Sequence, residues 1–284
     1  SVDVVGGVSE TDKQRISGEA KFLRAISYFE LVRFFAQPYG YTPDNSHLGV
    51  VVRTAPTAAR QNRNTVAEVY DQIVRDLQDA ATAIPAENGV YATSWAAKAY
   101  LAKVYFHMHN FEGAYQLADD VIENSPYTFN ADSTELLNRY SPGGTTEAVF
   151  RQVSTPNDKR GPQFSTHFRT DQANPPTLRI SKDMYNLATS NADDLRGQWW
   201  YDVEDEGEEN EKISVRKFDG NDYFDVPMIT ITELKFIRAE SAPEMDEDFS
   251  VALSDINDIR ERAGLGPVTS VADKTELLDL IRTE

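Results

Sequence analysis

Cysteine is absent from the 284 residues. Its absence excludes disulfides, thiolate metal sites and cysteine nucleophiles, and leaves the compartment open. Positive charge is scarce: 28 Lys and Arg face 46 Asp and Glu, a formal net charge of −18. A nucleic-acid binder needs a basic face, and this chain repels phosphate overall. An anionic membrane surface is disfavoured as a partner on the same ground. Lysine is the scarcer base, 10 against 18 arginines. Such a balance fits a surface adapted to high salt, where screening relieves self-repulsion. It fits an acidic extracytoplasmic protein equally well. No run of 18 apolar residues occurs, so no transmembrane helix is expected. No charged-then-apolar leader follows Ser1, so any export signal is expected to have been removed or to lie outside this sequence.

Histidine is also sparse, with four residues. His107 and His109 are two apart at a helix end, a spacing that points them to different sides. His47 and His167 lie in loops without a partner nearby in sequence. No metal or other cofactor is expected. The acidic stretch Glu204 to Glu211 lacks the alternating ligands of a calcium loop and reads as a solvated turn. Asp219-Gly220-Asn221-Asp222 reads as a tight turn. Gly-x-Ser-x-Gly, His-Glu-x-x-His and phosphate-loop motifs are all missing. Carboxylates are plentiful, but a glycosidase pair needs a set separation across a cleft and one raised pKa, and spacing shows neither. The chain does not read as an enzyme, and no catalytic residue is assigned.

What the sequence does contain is helical periodicity, with 40% of residues apolar. Thr93 to Tyr127 reads as two helices with almost no loop. Ala97, Leu101, Val104, Tyr105 and Met108 recur at three- and four-residue steps. So do Phe111, Ala114, Tyr115, Ala118, Val121 and Ile122. His109 and Asn110 are left for the turn, and Asn110 is placed to cap the second helix. Ala102, Tyr105 and Ala114 resemble the small and aromatic positions of a tetratricopeptide (TPR) hairpin. One hairpin cannot bury its own apolar face, so others should stack on it.

Upstream, Glu10 to Phe35 reads as a long helix with Ile16, Ala20, Leu23, Tyr28, Leu31, Val32 and Phe35 inward. Another starts at Thr65, where Glu68 completes a capping box. Val66, Val69, Tyr70, Ile73, Leu77, Ala80 and Ile84 form its inner face, and Pro85 stops it. From Asn130 to about Asp225 the chain turns irregular. Strands are expected at 148–153, 198–203 and 213–218, the last two as a hairpin, with a short helix over 180–189. Helices return over 230–242 and 249–263, where Gly264 supplies a C-terminal cap, and from Leu277. The fold class is mainly α: TPR-like helix hairpins in an α/α superhelix, with an irregular insertion of loops and short strands.

The aromatic residues outside the periodic positions are the candidate ligand contacts. Trp199, Trp200 and Tyr201 fall in an expected strand, where neighbours face opposite sides and at least one faces out. Phe164, His167 and Phe168 lie in a proline-flanked loop, as do Tyr39 and Tyr41. Exposed rings stack on sugar faces, and neighbouring Asn, Asp and Arg groups bond the hydroxyls.

Six segments, in order, resemble the SusD/RagB family of glycan-binding outer-membrane lipoproteins. They are FLRAISYFELVRFF (22–35), RNTVAEVYDQIVRDLQDAATAIP (63–85) and AAKAYLAKVYFHMHNFEGAYQLADDVI (96–122), then DDLR (193–196), ITELKFIRAESA (231–242) and INDIRERAGL (256–265). The last is the most specific. Thr230 and Thr232 stand where the family more often has Arg and Ala. Family members are longer, so the resemblance implies a truncated or short member. It would be a single SusD-like domain over 1–284, with TPR-like hairpins at 10–127, a loop-rich insertion at 128–229 and C-terminal helices at 230–284.

The resemblance implies cell-surface binding of oligosaccharides or related nutrients and delivery to a SusC-like TonB-dependent transporter. It implies the extracellular face of a Gram-negative outer membrane, with contact to the membrane only through a lipid anchor that this sequence does not contain. A TPR-type protein adaptor without sugar binding is the alternative, though it needs no long aromatic-bearing insertion. A glycoside hydrolase is the third.

Overall fold

In the computed structural model, residues 6–158, 166–174, 176–245 and 248–284 are described. The chain is mainly helical, and it divides into two units. The first comprises Ser1–Pro126 with Glu240–Glu247, the second Tyr127–Ala239 with Asp248–Glu284.

The first unit is built from α1 (Glu10–Phe35), α2 (Val66–Ala83), α3 (Ser94–His107) and α4 (Phe111–Asn124). Each begins at a side-chain cap: Ser9, Thr65, Thr93 and Asn110. The expected capping box is present, with Glu68 accepting from the Thr65 N–H and Thr65 from the Glu68 N–H. α1 and α2 run antiparallel. Gly18 lies against Ile84, where an added Cβ would come within 2.9 Å of Cγ1. Lys21 pairs with Asp79, and Arg24 grips the buried Asp76 with two bonds of 2.7 Å. The Phe29 ring meets Tyr70 edge-on at 6.3 Å.

All seven residues expected on the inner face of α2 are buried. The inner face of α1 is different from the expected one. Phe22, Ala25, Tyr28, Phe29 and Val32 are buried, whereas Leu23, Leu31 and Phe35 are exposed and Ile16 is half-buried. α1 is apolar on two sides, so periodicity alone does not choose which side meets α2. In α3, Tyr105 and Met108 are only half-buried, and Tyr100 is buried with its ring edge-on to Phe22 at 5.5 Å. α3 packs against both α2 and α4. It therefore has two inner faces, and the i, i+4 stripe describes only one of them. The turn to α4 is Met108-His109-Asn110, with His109 at φ 58°. Gly113 sits against the Tyr105 ring, where a Cβ would come within 2.8 Å.

The second unit carries the insertion. Its described elements are α5 (Glu135–Asn138), β1 (Ala148–Gln152), α6 (Lys182–Ala188), α7 (Leu195–Trp199), β2 (Tyr201–Glu204), β3 (Lys212–Val215) and β4 (Val226–Thr230). Then follow α8 (Ile231–Ser241), a 3₁₀ turn (Ala242–Met245), α9 (Phe249–Arg262) and α10 (Lys274–Thr283); the 3₁₀ turn and the end of α8 belong to the first unit. β1 pairs antiparallel with β4, and β2 with β3 in the register Tyr201↔Val215. The hairpin across the acidic loop is therefore present, but its first strand begins three residues later than expected. Asp194 caps a short helix over 195–199 instead, accepting from the Arg196 N–H at 2.8 Å.

β4 runs directly into α8. Thr230 caps that helix, accepting from the Glu233 N–H at 3.3 Å, which gives this threonine a local role. α8 and α9 are tied by the buried Asp255, which accepts from Lys235 and from both Nε and Nη2 of Arg238. α9 ends at Gly264, φ 82°, a left-handed cap. There the DDLR and RAGL segments meet: the Leu195 N–H donates to the Ala263 carbonyl at 2.9 Å.

Leu101 and Ile256 are both buried, one in each unit. Truncation of either to Ala is expected to cost about 2–5 kcal/mol, the range for cavity-forming changes in a packed core. Urea unfolding of the two variants measures this, and a loss below about 1 kcal/mol would place that side chain outside the core.

Candidate functional site

The second unit contains two adjoining depressions. One is a recess of about 160 Å³ lined by Arg139, Tyr140, Arg196, Trp200, Lys217 and Arg262, among others. The other, of about 300 Å³, is the more open, and Met228, Thr230 and Glu233 lie on its wall. Arg139, Tyr140, Thr232 and Phe236 border both, so the two form one cleft.

The floor of this cleft rests on Glu147, which is fully buried. Its carboxylate accepts from the Asn130 N–H at 2.9 Å, from Arg139 Nη2 at 3.0 Å, from Arg262 Nη1 at 2.5 Å and from the Thr232 hydroxyl. Its carbonyl accepts from the Ile231 N–H at 3.0 Å. One side chain thus joins the 130 loop, the end of α5, the start of α8 and the end of α9. Thr232 is part of that joint: its oxygen also accepts from Arg139 and Arg262, both at 3.1 Å. An alanine there would leave both guanidinium groups one acceptor short.

The wall is aromatic. Trp200 donates its indole N–H to the Leu136 carbonyl at 2.8 Å, which fixes the ring plane. Tyr140 packs on Phe218 at 4.7 Å and on Phe224 at 6.1 Å, and Phe168 meets Phe218 at 5.4 Å. The Lys217 ammonium sits among these rings, 4.8 Å from Trp200 and 5.7 Å from both Tyr140 and Phe218. Burial pushes the Lys217 pKa down, and Arg139 adds to the effect. Burial raises the Tyr140 phenol, with Arg139 opposing. Arg196, at the rim, is held by Asp194 and Glu284.

Of the residues expected to contact a ligand, Trp200 lines the cleft and Phe168 joins its ring cluster through Phe218. Trp199 ends α7, Trp200 follows as its cap, and Tyr201 opens β2. The strand alternation expected across these three is therefore not the geometry they adopt. Tyr201 turns to Tyr185, ring to ring at 5.5 Å, and burial raises its phenol. His167 is exposed and contacts the Thr177 hydroxyl. Phe164 lies outside the described residues. Tyr39 and Tyr41 belong to the first unit: Tyr39 packs on Tyr70 at 5.0 Å, and Tyr41 is exposed beside His47 at 5.4 Å.

Sequence reasoning missed Tyr140, Lys217, Phe236 and Arg139. Phe236 falls in the family-like segment 231–242, outside the apolar positions expected to face inward. The other three sit in no motif, and the signals that carry them are weak: a tyrosine before the Ser141-Pro142-Gly143-Gly144 turn, and a Lys-Phe pair just after the second hairpin strand. Among the described residues, no group of three or more His, Asp or Glu is gathered as metal ligands. The carboxylates lining the cleft are Glu233 and Glu284, the latter held by Arg196 and Arg260. The arrangement offers stacking faces, guanidinium forks and a hydroxyl.

Known proteins resemble this chain throughout. A SusD-like family model, described as starch-binding and associating with the outer membrane, matches residues 3–106. A SusD-like protein of Bacteroides ovatus is 34% identical over 163 residues, 53% of this chain and 28% of its own length. SusD-like protein P25 of Formosa agariphila is 25% identical over 142 residues, 49% of this chain and 25% of its own. The matched stretches thus span about a quarter of these relatives. The crystal structure of a SusD superfamily protein from Bacteroides thetaiotaomicron superposes with a TM-score of 0.82 at 26% identity, covering 99% of this chain and 66% of that one. A SusD superfamily protein from Bacteroides vulgatus shares the fold at TM-score 0.81 and 21% identity, over 97% and 64% of the respective chains.

Replacing Glu147 by Ala is expected to cost about 3–5 kcal/mol, because Arg262 and Arg139 would lose their buried counter-charge. Denaturant unfolding of this variant provides the check. A midpoint equal to the parent's would mean that the guanidinium groups find other partners.

Proposed function

Because this chain is SusD-like in sequence and in fold, we propose that it captures oligosaccharides at the cell surface and passes them to a SusC-like TonB-dependent transporter of the outer membrane. The observation that carries the reading is the aromatic wall of the second-unit cleft: Tyr140, Trp200 and Phe236, all half-buried, beside Arg139 and Thr232. A sugar ring has an apolar C–H face and a hydroxyl edge. The aromatic rings suit the first, and the guanidinium and hydroxyl groups suit the second. Such a site holds its ligand without turning it over. The matching family's description as starch-binding and associating with the outer membrane supports the same reading. The protein would face outward from a Gram-negative cell, held at the membrane by a lipid anchor.

A protein partner is supported by α1. Leu23, Leu31, Phe34 and Phe35 are exposed, Leu23 and Phe34 on the side away from the buried residues and Phe35 at its flank, with Phe34 76% and Phe35 69% accessible. A helix packed on one apolar face and open on another has a second surface to cover. This stripe is the face we assign to the transporter.

The test is retention of a panel of neutral and acidic oligosaccharides on affinity gels by the full-length protein. For any glycan the parent retains, Trp200→Ala and Tyr140→Ala are expected to weaken binding about tenfold, roughly 1.4 kcal/mol. That is within the range of about 1–3 kcal/mol found for bases stacked on aromatic residues. Melting temperature is followed alongside, since a loss of stability with unchanged retention would put these rings in the core. Reducing sugar released from the panel would turn the reading towards a hydrolase. The double change Phe34→Asp and Phe35→Asp is expected to abolish co-purification with the transporter while sugar retention persists; co-purification at the parent's level would remove the stripe from the interface.

A further inference from the structure

We infer that this cleft reads an acidic substituent on its oligosaccharide, a carboxylate or a sulfate ester, with Lys217 as the group that meets it. The inference rests on the glycan-capture reading above and narrows the class of ligand.

The lining of the recess is lopsided in charge. Arg139, Arg196, Lys217 and Arg262 are cations, and Glu284 is the one carboxylate. This is unexpected in a chain with 46 acidic and 28 basic residues, where counter-charges are abundant. Three of the four cations are engaged. Arg196 pairs with Asp194 and Glu284, while Arg139 and Arg262 converge on Glu147. Lys217 has no carboxylate partner among the described residues; its contacts are the faces of Trp200, Tyr140 and Phe218. Arg262, 3% exposed, also leaves its Nε without a hydrogen-bond partner. A half-buried ammonium pays for partial desolvation, and neighbouring rings offset only part of it.

An anion in the recess would complete this arrangement. About 160 Å³ is room for a carboxylate or sulfate group with a few waters, each of which occupies roughly 30 Å³. The rings that hold Lys217 would hold the sugar bearing that group, so one pocket reads both the ring face and its charge. The acid excess of the chain repels an anion at long range. At physiological salt the Debye length is about 8 Å, so this repulsion is screened while contact inside the recess persists.

The experiment is isothermal titration of the full-length protein with matched probes. One pair is a galacturonate trimer and a galactose trimer; the other is a sulfated galactan oligomer and its desulfated form. The expected result is a preference of about tenfold or more for the acidic member of at least one pair, and the pairs distinguish carboxylate from sulfate. In Lys217→Gln that ratio is expected to fall to near one, while Lys217→Arg retains most of it. Lys182→Gln, at an exposed lysine paired with Glu211, controls for the change in net charge and should keep the ratio. Equal affinity for both members of each pair would overturn the inference and leave glycan capture standing. An acidic preference that survives in Lys217→Gln, with melting temperature unchanged, would overturn it too, because the anion would be read elsewhere. Failure of the protein to bind any probe here or any glycan of the wider panel would overturn both.

Discussion

A buried carboxylate shared by two arginines organises the second unit. Glu147 is fully enclosed, and a lone charge in that position would be untenable. Arg262 and Arg139 supply the counter-charge, Thr232 a hydroxyl and Asn130 a backbone N–H. These groups come from four separate stretches of chain. Satisfying one carboxylate therefore fixes where α8 starts, where α9 ends and where the loop carrying Tyr140 leaves α5. The cleft is a consequence. Arg139 and Thr232 face it because Glu147 holds them, and the neighbouring Tyr140 is carried into place with Arg139.

The first unit is held in another way. α2 has one apolar stripe and buries all of it. α1 has two, and packing uses one: Phe22, Phe29 and Val32 go inward while Phe34 and Phe35 stay exposed. The ion pairs between Arg24 and Asp76 and between Lys21 and Asp79 lie along the seam of the two helices. The Arg24 pair is bidentate to an aspartate that is 2% exposed, so it fixes register more strongly than a surface pair would. The aromatic surface thereby left on α1 is the face proposed for a protein partner, and the cleft of the second unit is the proposed ligand site.

The fold class was legible in the sequence because its signals are local. The capping box at Thr65 and Glu68, the Asn110 cap, the Gly264 cap and the inner stripe of α2 each depend on residues three or four apart, and the structure contains all of them. The resemblance to SusD/RagB rested on the same local pieces, and the structural likeness extends over nearly the whole chain. The candidate site was only partly legible. Trp200 was named on an expectation of strand alternation, yet it caps a helix that Asp194 initiates, so the residue reached the cleft by a different route from the one expected.

The sequence by itself determined the long helices and, within a few residues, where they begin and stop, and that an aromatic, irregular insertion separates two sets of helices. These properties follow from backbone hydrogen bonds and side-chain periodicity within a few residues. Tertiary structure alone decided which side of α1 is buried, that Trp199 ends a helix which Trp200 caps, and that Lys217 lies among the rings of Trp200, Tyr140 and Phe218. It also decided that Glu147 meets Arg262 across 115 residues of sequence. A charge leaves no mark in its own neighbourhood of what will neutralise it; the partner is set only when the chain closes and desolvation makes an unpaired carboxylate too costly to keep.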